Sequence, residues 1–399
     1  MRILMLCNKS PYPAKEGGPI AMSMLIDGLT KAGHTVKVLA ISSNKYKVDL
    51  AKVPAAFMQK TQMETVYIDL SIKPVCAFLN LFTNKSYHVE RFISDDFRSK
   101  LIQILQSSTY DVVQLETLFI APYLETIRTY SNAKVVLRAH NIEHLIWKRV
   151  CETTASWVKK TYLKHIWTTL RNYEFATITK FDGIAAITSR DADFFRKEVG
   201  AKIPVTDIPY GVERVERREH DEVDCIVPSL FHIGSMDWIP NQEGIKWFLD
   251  NVWALVNNEF PGLKLYLAGR NMPVWLKEQS WPDVEIVGEV PDARAFILSK
   301  QIMVVPLLSG SGIRIKIIEA MAEGKAVITT PVGAEGIECE HGKHILFATQ
   351  PHEFLDAIRR CVENDVFCVD LGANARFLIH EYHDRDKLIS KLVAFYNKL

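Results

Sequence analysis

The sequence predicts an α/β protein built from two doubly wound parallel-sheet domains in tandem. The first observation is length, because 399 residues exceed the size at which a single hydrophobic core stops growing. The second is a repeated alternation of short β-branched runs with amphipathic segments, which is typical of a parallel sheet covered by helices on both faces. The third is that a charged stretch near the middle of the chain interrupts this alternation, which then begins again.

In the first half of the chain, short apolar runs predict the strands of a first domain. The predicted strands are RILMLC (2–7), TVKVLAI (35–41), DVVQLE (111–116), AKVVLRAH (133–140) and DGIAAIT (182–188), and a helix is predicted over 21–33. The stretch VERVERREHDEVD (212–224) is charged and lacks apolar periodicity, which indicates a linker. We therefore predict a first domain over 1–212 and a linker over 213–225.

The second half repeats the pattern and predicts a second domain over 226–380. The predicted strands are SLFHIGSM (229–236), LKLYLAG (263–269), VEIVGEV (284–290), QIMVVPLL (301–308) and AVITT (326–330), with a helix from about 242 to 256. In the tail, apolar residues are spaced to cover one helix face, namely Leu388, Leu392, Val393 and Tyr396. We predict that this helix, within 381–399, closes against the domains. Ligands are expected beyond the carboxyl ends of the strands, in the cleft that the two domains face.

The composition excludes several classes of function. Lys plus Arg number 48 and Asp plus Glu 47, so the formal net charge of +1 indicates no nucleic-acid partner. The seven cysteines are scattered without zinc-ligand spacing, which favours a reduced, cytoplasmic compartment and no metal centre. No apolar stretch approaches the roughly 18 residues of a membrane-spanning helix. The turn after the first strand lacks GxGxxG, which argues against a nicotinamide or flavin enzyme.

One stretch, LLSGSGIRIKIIEAMAEGKAVITT (307–330), predicts a ligand site. It joins an apolar run, a Ser/Gly loop and a helix that is expected to begin near Gly312. The loop would offer unpaired backbone N–H groups, and Arg314 and Lys316 would add positive charge where acidic residues are usually favoured. Two interpretations stay open. The cations hold a bound anion such as a diphosphate, or they are solvated, with Lys316 paired to Glu319.

Glu319 extends this prediction along the helix. It follows Gly312 by seven residues, nearly two turns, so both would lie on one helix face roughly 10 Å apart. Its sequence neighbours are apolar, and a carboxylate in such surroundings usually has a partner. A diphosphate at the helix end and a vicinal diol near Glu319 would suit an extended nucleotide-sugar.

Residues 228 to 347 resemble the nucleotide-sugar-binding half of a family 4, or group 1, glycosyltransferase of the GT-B fold. The residues that carry the resemblance are HIGSMDWIPNQEGIKWFL (232–249), LYLAGR (265–270), VEIVGEVPD (284–292) and GSGIRIKIIEAMAEGKAVITTPVGAEGI (310–337). The chain also has the length and two-domain order of that family. The resemblance implies two Rossmann-like domains, a nucleoside diphosphate-sugar donor and a hydroxyl acceptor that is a sugar or lipid-linked. It also implies retention of anomeric configuration and no metal.

The signature of this family is Glu, seven residues and Glu, followed by Ala-Met-Ala. Glu319 matches the second glutamate, which the family uses on the donor ribose, whereas Ser311 stands in place of the first. The family also commonly carries Arg and Lys shortly after the first strand of this domain, and neither occurs beside Ser235. We therefore predict that Arg314 and Lys316 hold the diphosphate and stabilise it as it leaves. The donor site implied by the resemblance comprises Gly234, Arg270, Val287, Gly288, Gly310, Ser311, Gly312, Ile313, Arg314, Lys316 and Glu319.

The first domain has its own candidates. Gly17 and Gly18 resemble the family's glycine-rich loop, whose amides face the donor phosphate or the acceptor, and an ordinary surface turn is the alternative. His140 ends the strand KVVLRA where the family often has a histidine lining the reaction centre. We therefore predict a catalytic role for His140, with a structural histidine as the alternative. Glu143 and His144 follow within one turn and are secondary candidates.

Two other classes of protein compete with a metal-independent glycosyltransferase of cell-surface polysaccharide or glycolipid synthesis. They are a nucleotide-sugar epimerase of the same fold and a non-catalytic nucleotide-sugar-binding protein, the latter suggested by the missing glutamate at Ser311. The Asp-Ala-Asp within 190–194 lies in a helical pattern, where the two carboxylates diverge, so it predicts no metal site. The segment 157–175 interleaves Lys, Arg and aromatics. Either it lies on an anionic membrane, at its inner face, or it is a helix with an aromatic core face and a solvated basic face.

Overall fold

The computed structural model describes residues 1–14, 16–214, 224–310 and 312–399. The chain divides into two compact units, and each is built around a parallel sheet. Unit 1 comprises Met1–Gly211 together with Arg385–Leu399, and unit 2 comprises Val212–Asp384. Ser311 and most of the predicted linker 213–225 lie outside the described residues. The predicted fold class, two α/β domains with parallel sheets, is confirmed.

Unit 1 contains, within its described residues, a seven-stranded sheet in the order β3-β2-β1-β4-β5-β6-β7. The strands are β1 (Arg2–Cys7), β2 (Thr35–Ser43), β3 (Glu64–Ile68), β4 (Val112–Glu116), β5 (Lys134–Ala139), β6 (Gly183–Ala186) and β7 (Val205–Asp207). All neighbouring strands pair in parallel. Each predicted strand is present. The edge strands β3 and β7 were not predicted, because they are short and only partly buried.

Helices of this unit pack against the sheet, and strands and helices both contribute to the core. The helices are α1 (Gly17–Lys31), α2 (Ala55–Thr61), α3 (Pro74–Asn80), α4 (Tyr87–Glu90), α5 (Asp95–Ser107), α6 (Leu124–Tyr130), α7 (Glu143–Thr153), α8 (Trp157–Ile178) and α9 (Ser189–Val199). The predicted helix 21–33 therefore begins four residues earlier, at Gly17. The Asp-Ala-Asp segment lies in α9, as the sequence predicted. No helix in the described part of the chain combines the length and the apolarity that a membrane span requires.

Unit 2 contains a six-stranded sheet over the residues described, in the order β10-β9-β8-β11-β12-β13. Its strands are β8 (Ile226–Ile233), β9 (Lys264–Ala268), β10 (Val284–Gly288), β11 (Lys300–Val305), β12 (Ala326–Thr329) and β13 (Leu346–Phe347). Its helices are α10 (Ile239–Phe248), α11 (Ala254–Glu259), α12 (Val274–Glu278), α13 (Ala293–Leu298), α14 (Ile315–Ala322), α15 (Pro351–Glu363) and α16 (Asp365–Tyr382). A π-helical turn, Leu249–Trp253, joins α10 to α11.

The last helix, α17 (Arg385–Tyr396), belongs to unit 1. Its buried residues include Leu388, Leu392 and Tyr396, which the sequence placed on one face. Lys391 Nζ donates to Asp207 Oδ2 at 2.9 Å and so ties the helix to the end of β7. The chain therefore returns to its first unit, and α17 brings a buried tyrosine to the sheet of that unit.

Candidate functional site

Each sheet has one point where the strand order reverses, and ligands of doubly wound folds bind beyond the carboxyl ends of the strands there. In unit 1 this point lies between β1 and β4, and in unit 2 between β8 and β11. The candidate residues of unit 1 follow β1, β4 and β5, and those of unit 2 follow β8, β9, β10 and β11. Each unit thus carries its candidates at the edge where such folds bind ligands.

In unit 1, His140 contacts a carboxylate that the sequence did not single out. The ring Nε2 lies 2.6 Å from Glu116 Oε2. Glu116 ends β4 and is completely buried, whereas His140 follows β5 and keeps part of its ring accessible. With Nε2 donating to the carboxylate, Nδ1 is the ring nitrogen that remains to contact a ligand.

A chain of buried polar side chains holds Glu116 in place. Gln114 Nε2 donates to Glu116 Oε1 at 2.5 Å, and the Tyr396 hydroxyl of α17 donates to Gln114 Oε1. Burial raises the pKa of Tyr396 well above its usual range, and the charge of Glu116 adds to this shift, so the hydroxyl keeps its proton. The C-terminal helix therefore supports His140 from behind, through two intermediate side chains.

The residue after Glu116, Thr117, has an unusual backbone conformation. Thr117 has φ 89° and ψ 157°, a region that residues other than glycine rarely adopt. Its N–H donates to the carbonyl of Arg138 at 3.1 Å, which keeps β4 and β5 paired to their ends. Strain at this position is consistent with a binding or catalytic site at the end of β4.

Gly17 and Gly18 lie in the first turn of α1 rather than in a loop before it, which corrects the sequence-based placement. Their N–H groups therefore belong to a helix N-terminus, at the carboxyl end of β1. Lys9 packs across this turn, with its Nζ 3.1 Å from Glu16 Oε2. The N-terminus of α1 is therefore compatible with a bound anion, and a lysine lies beside it.

The secondary candidates Glu143 and His144 belong to a buried cluster at the start of α7. Glu174 of α8 accepts both of their backbone N–H groups, at 3.1 and 3.2 Å, and lies 2.6 Å from His144 Nδ1. Burial, with the charge of Glu174, raises the pKa of Glu143 to about 8. His144 is buried, and its ring is held inside the cluster by Glu174, which points to a structural role. Glu143 holds a proton at neutral pH.

Glu143→Gln is expected to abolish a loss of stability that the wild type shows as the pH rises from 4.5 to about 8. Because the native pKa lies above the unfolded value of 4.5, the native state holds this proton more tightly. The free energy of unfolding is therefore highest below pH 4.5 and falls as pH rises towards about 8, by up to roughly 5 kcal/mol. Melting temperatures at pH 5.5 and 8.5 should differ less for the variant than for the wild type. Glu152→Gln, exposed on the same helix, is the matched control, and an unchanged difference in Glu143→Gln contradicts the assignment.

In unit 2, Lys316 sits in a polar pocket at the end of β8. Its Nζ donates to Asn241 Oδ1 at 2.7 Å and lies 3.1 Å from His232 Nε2. Gly234 makes room for it, because a Cβ there would lie 3.0 Å from Lys316 Nζ and 2.9 Å from Asn241 Nδ2. The alternative expectation that Lys316 is solvated and paired with Glu319 is therefore wrong.

Burial lowers the pKa of Lys316 well below its usual range, and the nearby charge of Arg314 lowers it further. His232 is completely enclosed, and its Nδ1 donates to the Val304 carbonyl at 2.8 Å, so Nε2 accepts from the lysine. Burial and Lys316 lower the pKa of His232, which stays neutral. An anion bound beside Lys316 would favour the charged form of the lysine, so this pocket is suited to a phosphate.

Arg314 is buried before the helix rather than solvated in its first turn. Its guanidinium lies 5.0 Å from the centre of the Trp238 ring and donates to the carbonyl of Gly312. Gly310 has φ +123°, and a Cβ there would lie 2.9 Å from both Arg314 NH2 and the Trp238 ring. Only glycine therefore allows the loop to close over the stacked pair.

The predicted helix start near Gly312 needs correction. The helix α14 begins at Ile315, Arg314 is its N-cap residue, and Ile313 is half-buried in the loop before it. The distance that the sequence predicted between Gly312 and Glu319 along one helix therefore does not apply, because Gly312 lies before the helix begins. Glu319 is half-buried one turn beyond Lys316, on the side of α14 that its apolar residues leave open. Lys316 and Glu319 thus share one helix face.

The remaining donor-side candidates lie along the same edge of the sheet. Gly234 N–H donates to the Ala268 carbonyl at 3.1 Å, and the Arg270 carbonyl accepts from Met236 at 2.9 Å. Val287 and Gly288 end β10, next to β9. The structure therefore brings the predicted donor-side residues that it describes to the carboxyl ends of neighbouring strands.

Sequence reasoning missed Glu116, Gln114 and Tyr396 around His140, and Asn241 and Trp238 around the two cations. A carboxylate that closes an otherwise apolar strand, as in DVVQLE, was an available signal for Glu116. Within the described residues, no group of three or more His, Cys, Asp and Glu side chains could hold a metal ion.

The two parallel-sheet units have the architecture of GT-B glycosyltransferases. Residues 227–364, most of unit 2, match the family model described as "Glycosyl transferases group 1". The resemblance recognised from the sequence is thereby confirmed for residues 227–364, and the fold of the whole chain is that of GT-B glycosyltransferases.

Individual proteins resemble the chain over nearly its whole length. An "Uncharacterized 44.6 kDa protein in cps region" of Klebsiella pneumoniae is 22% identical over 401 residues, covering 98% of each chain. Among solved structures, Anabaena HepE in complex with UDP superposes with a TM-score of 0.67 at 14% identity, covering 100% of both chains. Sucrose-phosphate synthase from Thermosynechococcus elongatus gives 0.66 at 16% identity, covering 100% of this chain and 99% of that one. These structural similarities concern the fold.

Proposed function

We propose that this glycosyltransferase binds the diphosphate of a nucleoside diphosphate-sugar at the start of α14 and transfers the sugar to a hydroxyl acceptor. The observation that carries the proposal is the pocket in which Lys316, held by Asn241 beside His232, meets the N-terminus of α14. An ammonium whose pKa is lowered by burial gains most from an anionic ligand. The N-terminus of α14 adds the positive end of the helix dipole to the charge of Lys316.

A uridine nucleotide is the first donor to test. The solved structures of Anabaena HepE and of the pneumococcal O-GlcNAc transferase GtfA contain UDP, and both share the fold. The relative from a cps region supports a role in cell-surface polysaccharide or glycolipid synthesis, with a sugar or lipid-linked acceptor. We propose that the enzyme works in the cytoplasm, where nucleotide-sugars are available as donors.

For the chemistry, we propose that Lys316, Arg314 and the helix N-terminus stabilise the leaving diphosphate without a metal ion. Preorganised cations and backbone N–H groups that meet developing charge are the largest single term in many such reactions. His140, fixed by Glu116, is proposed to act at the transferred sugar, with Gly17, Gly18 and Glu143 lining the phosphate or acceptor side. Retention of anomeric configuration rests on the family resemblance.

A panel of donors tests the proposal and its competitors. The purified protein is incubated with UDP-, GDP- and ADP-sugars, with and without a chelator, and products are separated by chromatography. Slow hydrolysis or transfer that survives chelation supports the proposal. A changed sugar on the same nucleotide supports an epimerase, and tight binding without product supports a binding protein.

Glu319→Ala is expected to weaken binding of the nucleoside diphosphate and of the nucleotide-sugar by similar factors. The lost hydrogen bonds would be to the ribose, which both ligands share, and are worth roughly 1.5–3 kcal/mol. Titration calorimetry with both ligands measures the effect, with Glu278→Ala, exposed on α12, as the control. Unchanged affinity for the diphosphate in a folded variant removes Glu319 from the donor site.

A further inference from the structure

Arg138 is an almost completely buried arginine near the end of β5, two residues before His140. Its Nη1 donates to the Ala186 carbonyl at 3.3 Å, and its Nη2 is buried without a hydrogen-bond partner among the described residues. A guanidinium keeps its charge in proteins, and a buried charge is costly unless an opposite charge compensates it. The structure therefore has to supply a negative charge close to Arg138.

The sheet places that negative charge beside Arg138. Glu116 of β4 is the register partner of Arg138, so the two side chains leave the same face of the sheet on adjacent strands. Glu116 is completely buried. Burial lowers the pKa of Arg138, and the charge of Glu116 opposes that shift, as expected for opposite charges close together. The two buried charges therefore compensate each other.

The other groups that surround Glu116 on the described elements bring no fixed positive charge. Cys7 of β1 is its register partner on the other side, and burial, with the charge of Glu116, raises the pKa of the Cys7 thiol well above its usual range. Gln114 donates to Glu116, and the Tyr396 hydroxyl donates to Gln114. Of these groups, Arg138 brings Glu116 a positive charge that does not depend on the protonation of a histidine.

This charge bears on the protonation of His140. As a carboxylate, Glu116 accepts from His140 Nε2 at 2.6 Å, which leaves Nδ1 to contact a ligand. Without a compensating cation, a buried carboxylate gains by taking up a proton or by pairing with an imidazolium. A protonated Glu116 would donate to Nε2 and move the ring proton to Nδ1, and an imidazolium also carries a proton on Nδ1. Either change removes Nδ1 as an acceptor.

We propose that Arg138 is a positioning residue that keeps Glu116 ionised and thereby keeps Nδ1 of His140 available as an acceptor. Arg138 acts through Glu116 and not on a ligand. The consequence for turnover rests on the proposed function, whereas the protonation of the ring can be measured in the free protein.

NMR spectra of the histidine rings test the proposal on the full-length protein without a donor. The ring nitrogens are isotope-labelled, and the signals of His140 are identified by their loss in His140→Gln. Between pH 5 and 9, Nδ1 is expected to lose its proton at a pH at least about one unit higher in Arg138→Gln than in the wild type. Arg138→Lys keeps the charge and should lie closer to the wild type. An unchanged titration of Nδ1 in a folded Arg138→Gln protein overturns the proposal.

Unfolding measurements test the compensation of charge itself. Arg138→Gln leaves Glu116 without a counter-charge, whereas Arg138→Gln combined with Glu116→Gln removes both charges. The double variant is therefore expected to melt no lower than Arg138→Gln alone, although it carries one more change. If Arg138→Gln does not fold, the double variant should still fold, and failure of both contradicts the compensation. Equal losses from Glu116→Gln in the wild type and in Arg138→Gln would show that the two charges are independent, and the proposal fails.

Turnover separates a positioning role from a loss of packing. Arg138→Gln is expected to lower kcat roughly tenfold or more and to leave donor affinity within about threefold, with partial rescue in Arg138→Lys. The control is Val136→Ala, which is buried on the same face of β5 and should lower the melting temperature but not kcat. An equal loss of kcat in Val136→Ala overturns the proposal. A wild type without turnover, but with the expected ring titration, contradicts the proposed function and supports the role of Arg138.

Discussion

His140→Ala is expected to lower turnover by roughly 100-fold or more while leaving donor affinity within about threefold. His140 belongs to unit 1, whereas the residues proposed to hold the nucleotide belong to unit 2. Removing an interaction that is made mainly in the transition state lowers kcat and kcat/KM together and leaves donor binding intact. Initial rates over a range of donor concentrations, with donor binding measured separately by calorimetry, provide the comparison.

Variants behind His140 separate a catalytic from a structural role. Glu116→Gln keeps the shape of the side chain but weakens the contact to Nε2, which is 2.6 Å in the wild type. Tyr396→Phe removes only the hydroxyl bound to Gln114. We expect the loss of turnover to be largest for His140→Ala, smaller for Glu116→Gln and smallest for Tyr396→Phe. Glu116 contacts the ring directly, whereas Tyr396 reaches it only through Gln114 and Glu116. Near-normal turnover of a folded His140→Ala protein would return His140 to a structural role.

Lys316→Gln is expected to lower affinity for the nucleoside diphosphate by roughly 10- to 100-fold and to leave affinity for the nucleoside almost unchanged. Only the diphosphate carries charge that an ammonium can bind, and a hydrogen bond to a charged group is worth roughly 1.5–3 kcal/mol. Glutamine can still donate to Asn241, which lies 2.7 Å from Nζ in the wild type, so the pocket should stay folded. Parallel losses for both ligands would assign Lys316 a structural role instead.

The affinity for the diphosphate should also depend on pH through Lys316. In the free protein, burial and Arg314 hold the pKa of Lys316 well below its usual range, and a bound anion should raise it again. Protons are therefore taken up on binding, and affinity falls as pH rises from the free to the bound pKa. Calorimetry in two buffers with different ionisation enthalpies measures this uptake. The uptake should vanish in Lys316→Gln.

Arg314 shows where burial changes a prediction made from the sequence. A cation at a helix start is unfavourable in isolation, so the sequence predicted that Arg314→Gln would leave the ligand-free protein no less stable. In the structure the side chain is buried on Trp238 and donates to Gly312. Replacing Arg314 removes packing as well as charge, so we expect the ligand-free Arg314→Gln protein to have a lower melting temperature than the wild type. A melting temperature equal to that of the wild type would favour the original expectation.

The alternation of short strands and helices sufficed to predict the strands of both sheets except β3, β7 and β13, because hydrophobic periodicity depends on local residue choice. The helix α14 was predicted from its apolar spacing, but its start was placed near Gly312 instead of at Ile315. Helix ends depend on caps and loop closure, and the loop here closes around the stacked Arg314 and Trp238. The edge strand β7, only three residues long, had too little pattern to detect.

The sequence by itself determined the two-domain α/β fold, the resemblance of its second half to group 1 glycosyltransferases, and the candidate residues that end strands or begin α14. Those features follow from periodicity and from motifs that are contiguous in the chain. The tertiary structure alone decided which side chains meet. Tyr396 reaches Gln114 across 282 positions, and Lys316 reaches Asn241 across 75. Such contacts arise when α17 packs in unit 1 and when the side chain of Lys316 reaches His232 on β8, and burial there lowers the pKa of Lys316. No local pattern encodes that shift, because desolvation depends on every element packed around the group.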